Sequence, residues 1–240
     1  MRINYRQKVK QNKCKGCTMR CALYFGSFNP LHKGHIAIAR YVMENCNVDS
    51  VRLVLSPQSP FKDSTILQDP QLRLQELSRS IERFNAEYEV HVQTTAEAEQ
   101  AATLCTGCNP QFHSACQSAT KLHKESGIKV KFLEISTVEF DLPRPNYTYN
   151  TLQHLKSIEP ETTFLIVMGA DNLAVIEKWY RGIDILKEFE VLVYPRKGFD
   201  TQALCNKYGA TFLDAPLNDI SSTMIREGEQ NGKDMSHLRY

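Results

Sequence analysis

No apolar run in this chain approaches the ~18 residues that a membrane-crossing helix requires, so a helical membrane span is excluded. A charge excess is missing too. Lys and Arg number 29 against 27 Asp and Glu, a formal net charge of +2, which gives no global signature of nucleic-acid or membrane-surface binding. The basic start, Met1-Arg2-Ile3-Asn4-Tyr5-Arg6-Gln7-Lys8, has no apolar segment behind it, so no secretory signal is expected. Internal repeats and low-complexity tracts are absent, which excludes solenoid and fibrous architectures. Tryptophan occurs once, at Trp179. What remains is an ordinary globular composition, 42% apolar and 23% charged, with enough length for one substantial core. The expected location is the cytoplasm.

Against these absences stand eight cysteines, and they are clustered. Cys14, Cys17 and Cys21 lie near the start, Cys105, Cys108 and Cys116 in one mid-chain segment, and Cys46 and Cys205 alone. In a reducing compartment, paired Cys-x-x-Cys groups point to metal or redox chemistry before structural disulfides.

Hydrophobic patterning organises the chain. Residues 1–20 are polar and Lys-rich, an extension rather than core. Ala22–Phe25, Val51–Leu55, Lys129–Ile135, Thr163–Met168, Val191–Tyr194 and Thr211–Leu213 read as strands. Helices are expected at Leu31 to about Cys46, Pro70 to about Asn85, Tyr149–Ile158, Asp171–Trp179, Ile183–Phe189 and from Ser222 onward. Strands alternating with helices imply a mostly parallel, doubly wound α/β sheet covered on both faces. One segment does not fit. Residues 86–128 exceed the usual 2–6 residues of an αβ connection and read as a Cys-rich insertion in a domain spanning 21–240.

Gly26-Ser27-Phe28-Asn29-Pro30-Leu31-His32-Lys33-Gly34-His35 is the most informative stretch. Two histidines three residues apart share one helix face, where a strand breaks at Gly26 and a helix begins. The unpaired N–H groups of that helix start attract anions, so paired imidazoles there suit a polyphosphate. Near the other end, Ile220-Ser221-Ser222-Thr223-Met224-Ile225-Arg226 opens a further helix. Ser or Thr there caps the exposed N–H groups. Arg226, however, sits in the first turn, where the helix dipole disfavours a cation by roughly 0.3–1 kcal/mol; a bound anion would reverse that sign.

The Gly26–His35 stretch resembles the His-x-Gly-His signature of the nucleotidyltransferase superfamily, and Ser221-Ser222-Thr223-x-x-Arg226 resembles its second phosphate motif. Gly169-Ala170-Asp171-Asn172 after the most apolar strand, Pro145-Asn146-Tyr147-Thr148-Tyr149-Asn150-Thr151-Leu152 before a helix, and Glu177-Lys178-Trp179-Tyr180 narrow the match. Together these segments are similar to the bacterial nicotinate-nucleotide adenylyltransferase family over roughly 21–85 and 129–228. The resemblance implies a Rossmann-like fold and adenylyl transfer from ATP, with Mg²⁺, to nicotinate mononucleotide, giving deamido-NAD and pyrophosphate. It implies that His32 and His35 donate to the α- and β-phosphates and that Gly34 allows close backbone approach. Gly26, Ser27 and Phe28 would form the ATP loop, and Ser221, Ser222, Thr223 and Arg226 would hold the β- and γ-phosphates. After Gly169, Asp171 would accept from the ribose hydroxyls. Trp179 would stack on the pyridine ring, the Tyr147-Thr148 backbone would meet its carboxylate, and Lys62 would contact the mononucleotide phosphate. Arg144 and Arg196 follow apolar runs, where phosphate contact and plain surface placement are equally open.

The cysteines depart from that family pattern. Cys14-x-x-Cys17 and Cys105-x-x-Cys108 have ligand-pair spacing for zinc, and a four-thiolate staple between tail and insertion is one expectation. Cys105-x-x-Cys108-x4-His113-x-x-Cys116 is a rival zinc knuckle, an iron–sulfur cluster on Cys14, Cys17 and Cys21 another, and plain reduced thiols a third. Rival activities stay open as well: a sibling enzyme using nicotinamide mononucleotide or phosphopantetheine, or a metal-dependent RNA-binding or redox-sensing protein on the same scaffold. Lys121, Lys124, Lys129 and Lys131 lack an aromatic stacking platform, so nucleic acid is not the expected partner. A homo-oligomer is left open.

Overall fold

The computed structural model describes residues 19–58, 67–105, 131–217 and 219–240. Six strands form one sheet: β1 (Met19–Gly26), β2 (Ser50–Leu55), β3 (Phe132–Ser136), β4 (Thr162–Gly169), β5 (Glu190–Tyr194) and β6 (Thr211–Phe212). Their order is β3-β2-β1-β4-β5-β6, and every pairing is parallel. The direction of winding reverses between β1 and β4. Open α/β sheets bind ligands beside the carboxyl ends of the strands at such a switch point.

Parallel sheets need cover on both faces, and side-chain alternation along β1 supplies two separate cores. Ala22 and Tyr24 face a cluster built with Ile36, Ala39, Val42 and Met43 of α1 (Lys33–Asn45) and Leu77, Ile81 and Phe84 of α2 (Pro70–Cys105). Cys21 and Leu23 face the opposite cluster, which includes Leu152 and Leu155 of α3 (Thr148–Ile158), Leu173 of α4 (Ala170–Leu173), Ile185 of α5 (Gly182–Glu188) and Cys205 of α6 (Thr201–Tyr208). All six residues of β2 are buried, as expected of an internal strand in a two-faced sheet. A last helix, α7 (Ser222–Gln230), leads to a one-turn 3₁₀ segment at Ser236–Leu238.

Three elements differ from the sequence expectation. The helix expected to end near Asn85 continues to Cys105 as a single 36-residue α2, about 54 Å long at 1.5 Å per residue. Residues 86–105, the first part of the expected 86–128 insertion, are therefore helical, and 106–128 lie outside the described residues. The stretch from Ala96 to Ala102 is Ala, Glu and Gln only, and the first breakers come at Gly107 and Pro110; strong helix formers without a stop signal extend the helix. The helix expected over Asp171–Trp179 is broken into α4 and a 3₁₀ turn, Ile176–Lys178. There the chain folds back until Gly182 lies against the Ile176 carbonyl, too close for any side chain at 182. Helix α6 was not expected, although its caps are legible. Asp200 accepts from the Ala203 N–H at 3.0 Å and Gly209 closes the helix at φ 68°.

Candidate active site

The site lies at the carboxyl edge of β1, β4 and β5 and begins with the loop after β1. Gly26 ends the strand, and a Cβ there would meet the Phe28 ring at 3.0 Å. Phe28 takes a positive φ of 44°, which turns its ring inward. It meets Tyr24 edge-on at 5.9 Å and His35 edge-on at 5.1 Å. Phe28 is buried, so it packs beneath the loop. His32 caps α1, and the rings of His32 and His35 stack with centroids 3.6 Å apart. The His35 Nδ1 accepts from the His32 N–H at 3.3 Å. The expected shared face is there, and Gly34 is buried between the two histidines in the first turn. Burial lowers His32 to about 4, with the nearby Arg196 charge acting in the same direction. Its imidazole is therefore neutral at neutral pH, and its Nδ1 is buried without a partner.

Helix α7 is docked on the same loop. Arg226 donates from Nη1 to the Asn29 carbonyl at 2.6 Å and from Nη2 to the Thr223 hydroxyl at 3.1 Å. Ser222 donates to the Pro30 carbonyl at 3.1 Å, and Ser221 caps the helix by accepting from the Met224 N–H at 3.1 Å. A guanidinium from near one end of the chain thus sits three residues along the backbone from His32. Two helix N-termini, those of α1 and α7, meet there.

The third wall comes from β4 and β5. A Cβ at Gly169 would collide with Asp171 Oδ1 and crowd Arg196, so glycine is required for the carboxylate to lie back over the strand end. Asp171 Oδ1 faces Arg196 Nε at 3.7 Å, an ion pair too long for a hydrogen bond, and both atoms are buried without a hydrogen-bond partner. Behind them Arg196 donates to the Tyr194 hydroxyl at 3.1 Å, which lies 3.3 Å from that of Tyr24. Sequence reading left Arg196 undecided and missed Tyr24 and Tyr194. The detectable signal was two tyrosines placed near the ends of otherwise aliphatic strands. His32 Nδ1, Asp171 Oδ1 and Arg196 Nε are thus three buried polar atoms without hydrogen-bond partners, grouped around one edge of the sheet. Buried polar groups are nearly always satisfied, so this set fits a polar ligand.

Beside this edge lies an open cleft lined by Tyr24, Thr148, Met168, Asn172, Trp179 and Tyr194. Trp179 is half-buried and packs partly on the adjoining core. Tyr147 precedes Thr148 and stacks on Tyr180 at 4.7 Å. Arg144 lies apart, on the Gln58 side chain at 3.1 Å.

Of the other expected residues, Lys62, Cys14, Cys17, Cys108, His113 and Cys116 lie outside the described residues, and Cys105 is the last residue of α2. Cys21 is fully buried in β1, and burial pushes its thiol up to about 11, so it serves as core and not as a cluster ligand. Among the described residues no three His, Cys, Asp or Glu side chains come together as a metal site. Nor is any described helix long and apolar enough to cross a membrane.

A Rossmann-like sheet with stacked histidines at one helix start and a guanidinium at another defines a nucleotidyltransferase. The chain belongs to the cytidylyltransferase-like family, whose model matches residues 23–228. It is 32% identical over 219 residues to a probable nicotinate-nucleotide adenylyltransferase of Bacteroides fragilis, covering 91% of this chain and 86% of that one. With the protein of the same name from Flavobacterium psychrophilum it shares 33% over 222 residues, 92% and 91% of the two chains. Among solved structures, a Plasmodium falciparum nicotinic acid mononucleotide adenylyltransferase complexed with NaAD superposes with a TM-score of 0.61 at 16% identity, over 91% of this chain and 87% of the other. That likeness is one of fold.

Proposed function

We propose that the chain transfers the adenylyl group of ATP to nicotinate mononucleotide, producing deamido-NAD and pyrophosphate for NAD biosynthesis. The observation that carries this reading is the anchoring of Arg226 on the Asn29 carbonyl, on the loop that leads into the stacked histidines. Donors from two distant parts of the chain then surround one polyanion. The family generally uses Mg²⁺ with ATP, and the ion enters on the nucleotide as MgATP.

The chemistry asks little of a base. A phosphate oxygen of the mononucleotide, already an anion, attacks the α-phosphorus, and the bond to the bridging oxygen of pyrophosphate breaks. Two polyanions must be aligned against their repulsion, and charge growing on the leaving group must be stabilised. His32 and His35 hold the α- and β-phosphates, and the neutral imidazole of His32 donates without adding charge of its own. Arg226, with the loop Ser221–Thr223, holds the β- and γ-phosphates. Asp171 receives the ribose hydroxyls, and the Gly26–Phe28 backbone lets the nucleotide lie close to the sheet edge. Trp179 stacks on the pyridine ring, and the Tyr147-Thr148 backbone receives its carboxylate. Lys62 takes the mononucleotide phosphate.

Pyrophosphate release from ATP, measured with nicotinate mononucleotide, nicotinamide mononucleotide and phosphopantetheine in turn, tests the assignment. The acid mononucleotide is expected to give the highest kcat/KM. Equal or faster release with the amide or with phosphopantetheine would reassign the enzyme to a sibling activity.

A further inference from the structure

Beneath the acceptor side of the cleft lies a buried carboxyl that the proposed chemistry does not use. Glu139, on the 3₁₀ turn Val138–Phe140 that follows β3, is 3% exposed. Its Oε1 accepts from the Thr151 hydroxyl at 3.0 Å, and the Ser56 side chain faces the same carboxyl. The backbone carbonyl of the same residue accepts from Asn146 Nδ2 at 2.9 Å, and Asn146 Oδ1 is buried without a hydrogen-bond partner. Burial raises the pKa of Glu139, against the lowering effect of hydrogen bonds from Ser56 and Thr151. A buried carboxyl is costly even when bonded, and an aliphatic side chain would avoid that cost, so packing alone does not account for it.

What the carboxyl holds is the start of α3. Thr151 lies in the first turn, and its hydroxyl is shared between Glu139 Oε1 and, at 3.4 Å, the Tyr147 carbonyl. Tyr147 is the N-cap of α3, and Thr148 lines the cleft. Asn146, bonded to the backbone of Glu139, is the residue immediately before Tyr147. One residue therefore grips the turn Asn146-Tyr147-Thr148 from both sides, through its side chain and through its carbonyl.

We propose that Glu139 is a positioning residue for the acceptor substrate: by bracing Asn146 and Thr151 it fixes the Tyr147-Thr148 peptide against the carboxylate of the pyridine ring. The inference rests on the acceptor assignment made above. It extends that assignment to the discrimination of acid from amide, because a peptide N–H held in place favours a carboxylate oxygen, whereas a loosened turn can rotate to accept an amide. ATP is bound at the other end of the site and is unaffected.

The test compares Glu139→Ala, Glu139→Gln and Thr151→Val with the wild-type chain, measuring KM for each substrate, kcat, and the kcat/KM ratio of nicotinate to nicotinamide mononucleotide. For Glu139→Ala the acceptor KM should rise about tenfold and the acid-to-amide ratio should fall about fivefold, with the KM for ATP unchanged; sub-ångström misplacement of a positioning group has effects of this order. Glu139→Gln keeps an oxygen for Thr151 and should restore the ratio. Thr151→Val removes the same hydrogen bond from its other end and gives the same split, smaller, should Glu139→Ala fail to fold. A ratio unchanged in Glu139→Ala or Thr151→Val, or ATP and acceptor constants moving together, would overturn the proposal. Wild-type protein inactive on nicotinate mononucleotide would instead remove the acceptor assignment itself, independently of how the variants behave.

Discussion

The two ends of the proposed site are built by different means. At the phosphate end the loop after β1 is pinned by arginines whose bonds go to backbone carbonyls. Arg73, 1% exposed, donates to the carbonyls of Ser27, Ser56, Pro57 and Gln68 at 2.7–2.9 Å, and Arg226 adds the bond to Asn29. At the acceptor end the surfaces are aromatic and partly open. Tyr180 is 49% exposed and rests on Tyr147, and Arg181 lies 4.1 Å over the Tyr149 ring. Each construction suits the ligand proposed for it. Charge developing on a polyphosphate needs donors fixed before the reaction, since donors that must reorganise lose most of their worth. A flat heterocycle needs faces to lie against, and ring stacking tolerates small displacements.

If that contrast is right, removing a donor at the fixed end should be the more damaging change. Replacing His35 by Ala should lower kcat by about 100-fold or more, the usual loss for one preorganised transition-state donor. Steady-state pyrophosphate release, with circular dichroism to verify folding, makes the measurement. An unchanged kcat would contradict the role given to the stacked pair. At the open end the effect should be smaller and confined to binding. Trp179→Ala should raise the KM for the mononucleotide about tenfold, in line with ~1–3 kcal/mol for stacking a base on an aromatic ring, while the KM for ATP stays within about twofold. Equal changes in both constants would erase the distinction between the ends.

The same contrast governs what could be read from the residues alone. The phosphate end was legible because its chemistry is local: His32 and His35 lie three apart, Ser221–Arg226 is one helix start, and Gly169 and Asp171 are neighbours. The alternating strands and helices were legible for the same reason, since periodicity is a short-range signal. The supports were not. Arg73 meets Ser27 across 46 residues and Tyr24 meets Tyr194 across 170, and no pattern in a single chain announces such pairs. Helix ends failed where the sequence offered no stop, as in α2. The break after α4 was invisible because it answers to the packing of Gly182 on Ile176 and not to any residue preference.

The finest test of the fixed end concerns a proton. An ordinary histidine takes one near pH 6.5, whereas buried His32 resists until about 4. Between those values the unfolded chain binds more protons at this position than the folded one. The stability tied to His32 is therefore fully present above about 6.5 and is lost as pH falls towards 4. A bound triphosphate reverses the balance. Negative charge beside the ring favours the imidazolium, so its pKa climbs and ATP binding draws a proton from solution within that window. Titration calorimetry at pH 5.5, in two buffers of different ionisation enthalpy, should register this uptake as a buffer-dependent heat. Phosphate oxygens and other groups also exchange protons on binding, which makes His32→Gln the necessary comparison. The variant should take up a fraction of a proton less than wild type. Identical proton counts for the two proteins would mean that His32 stays neutral beneath the nucleotide and holds the polyanion as an uncharged donor.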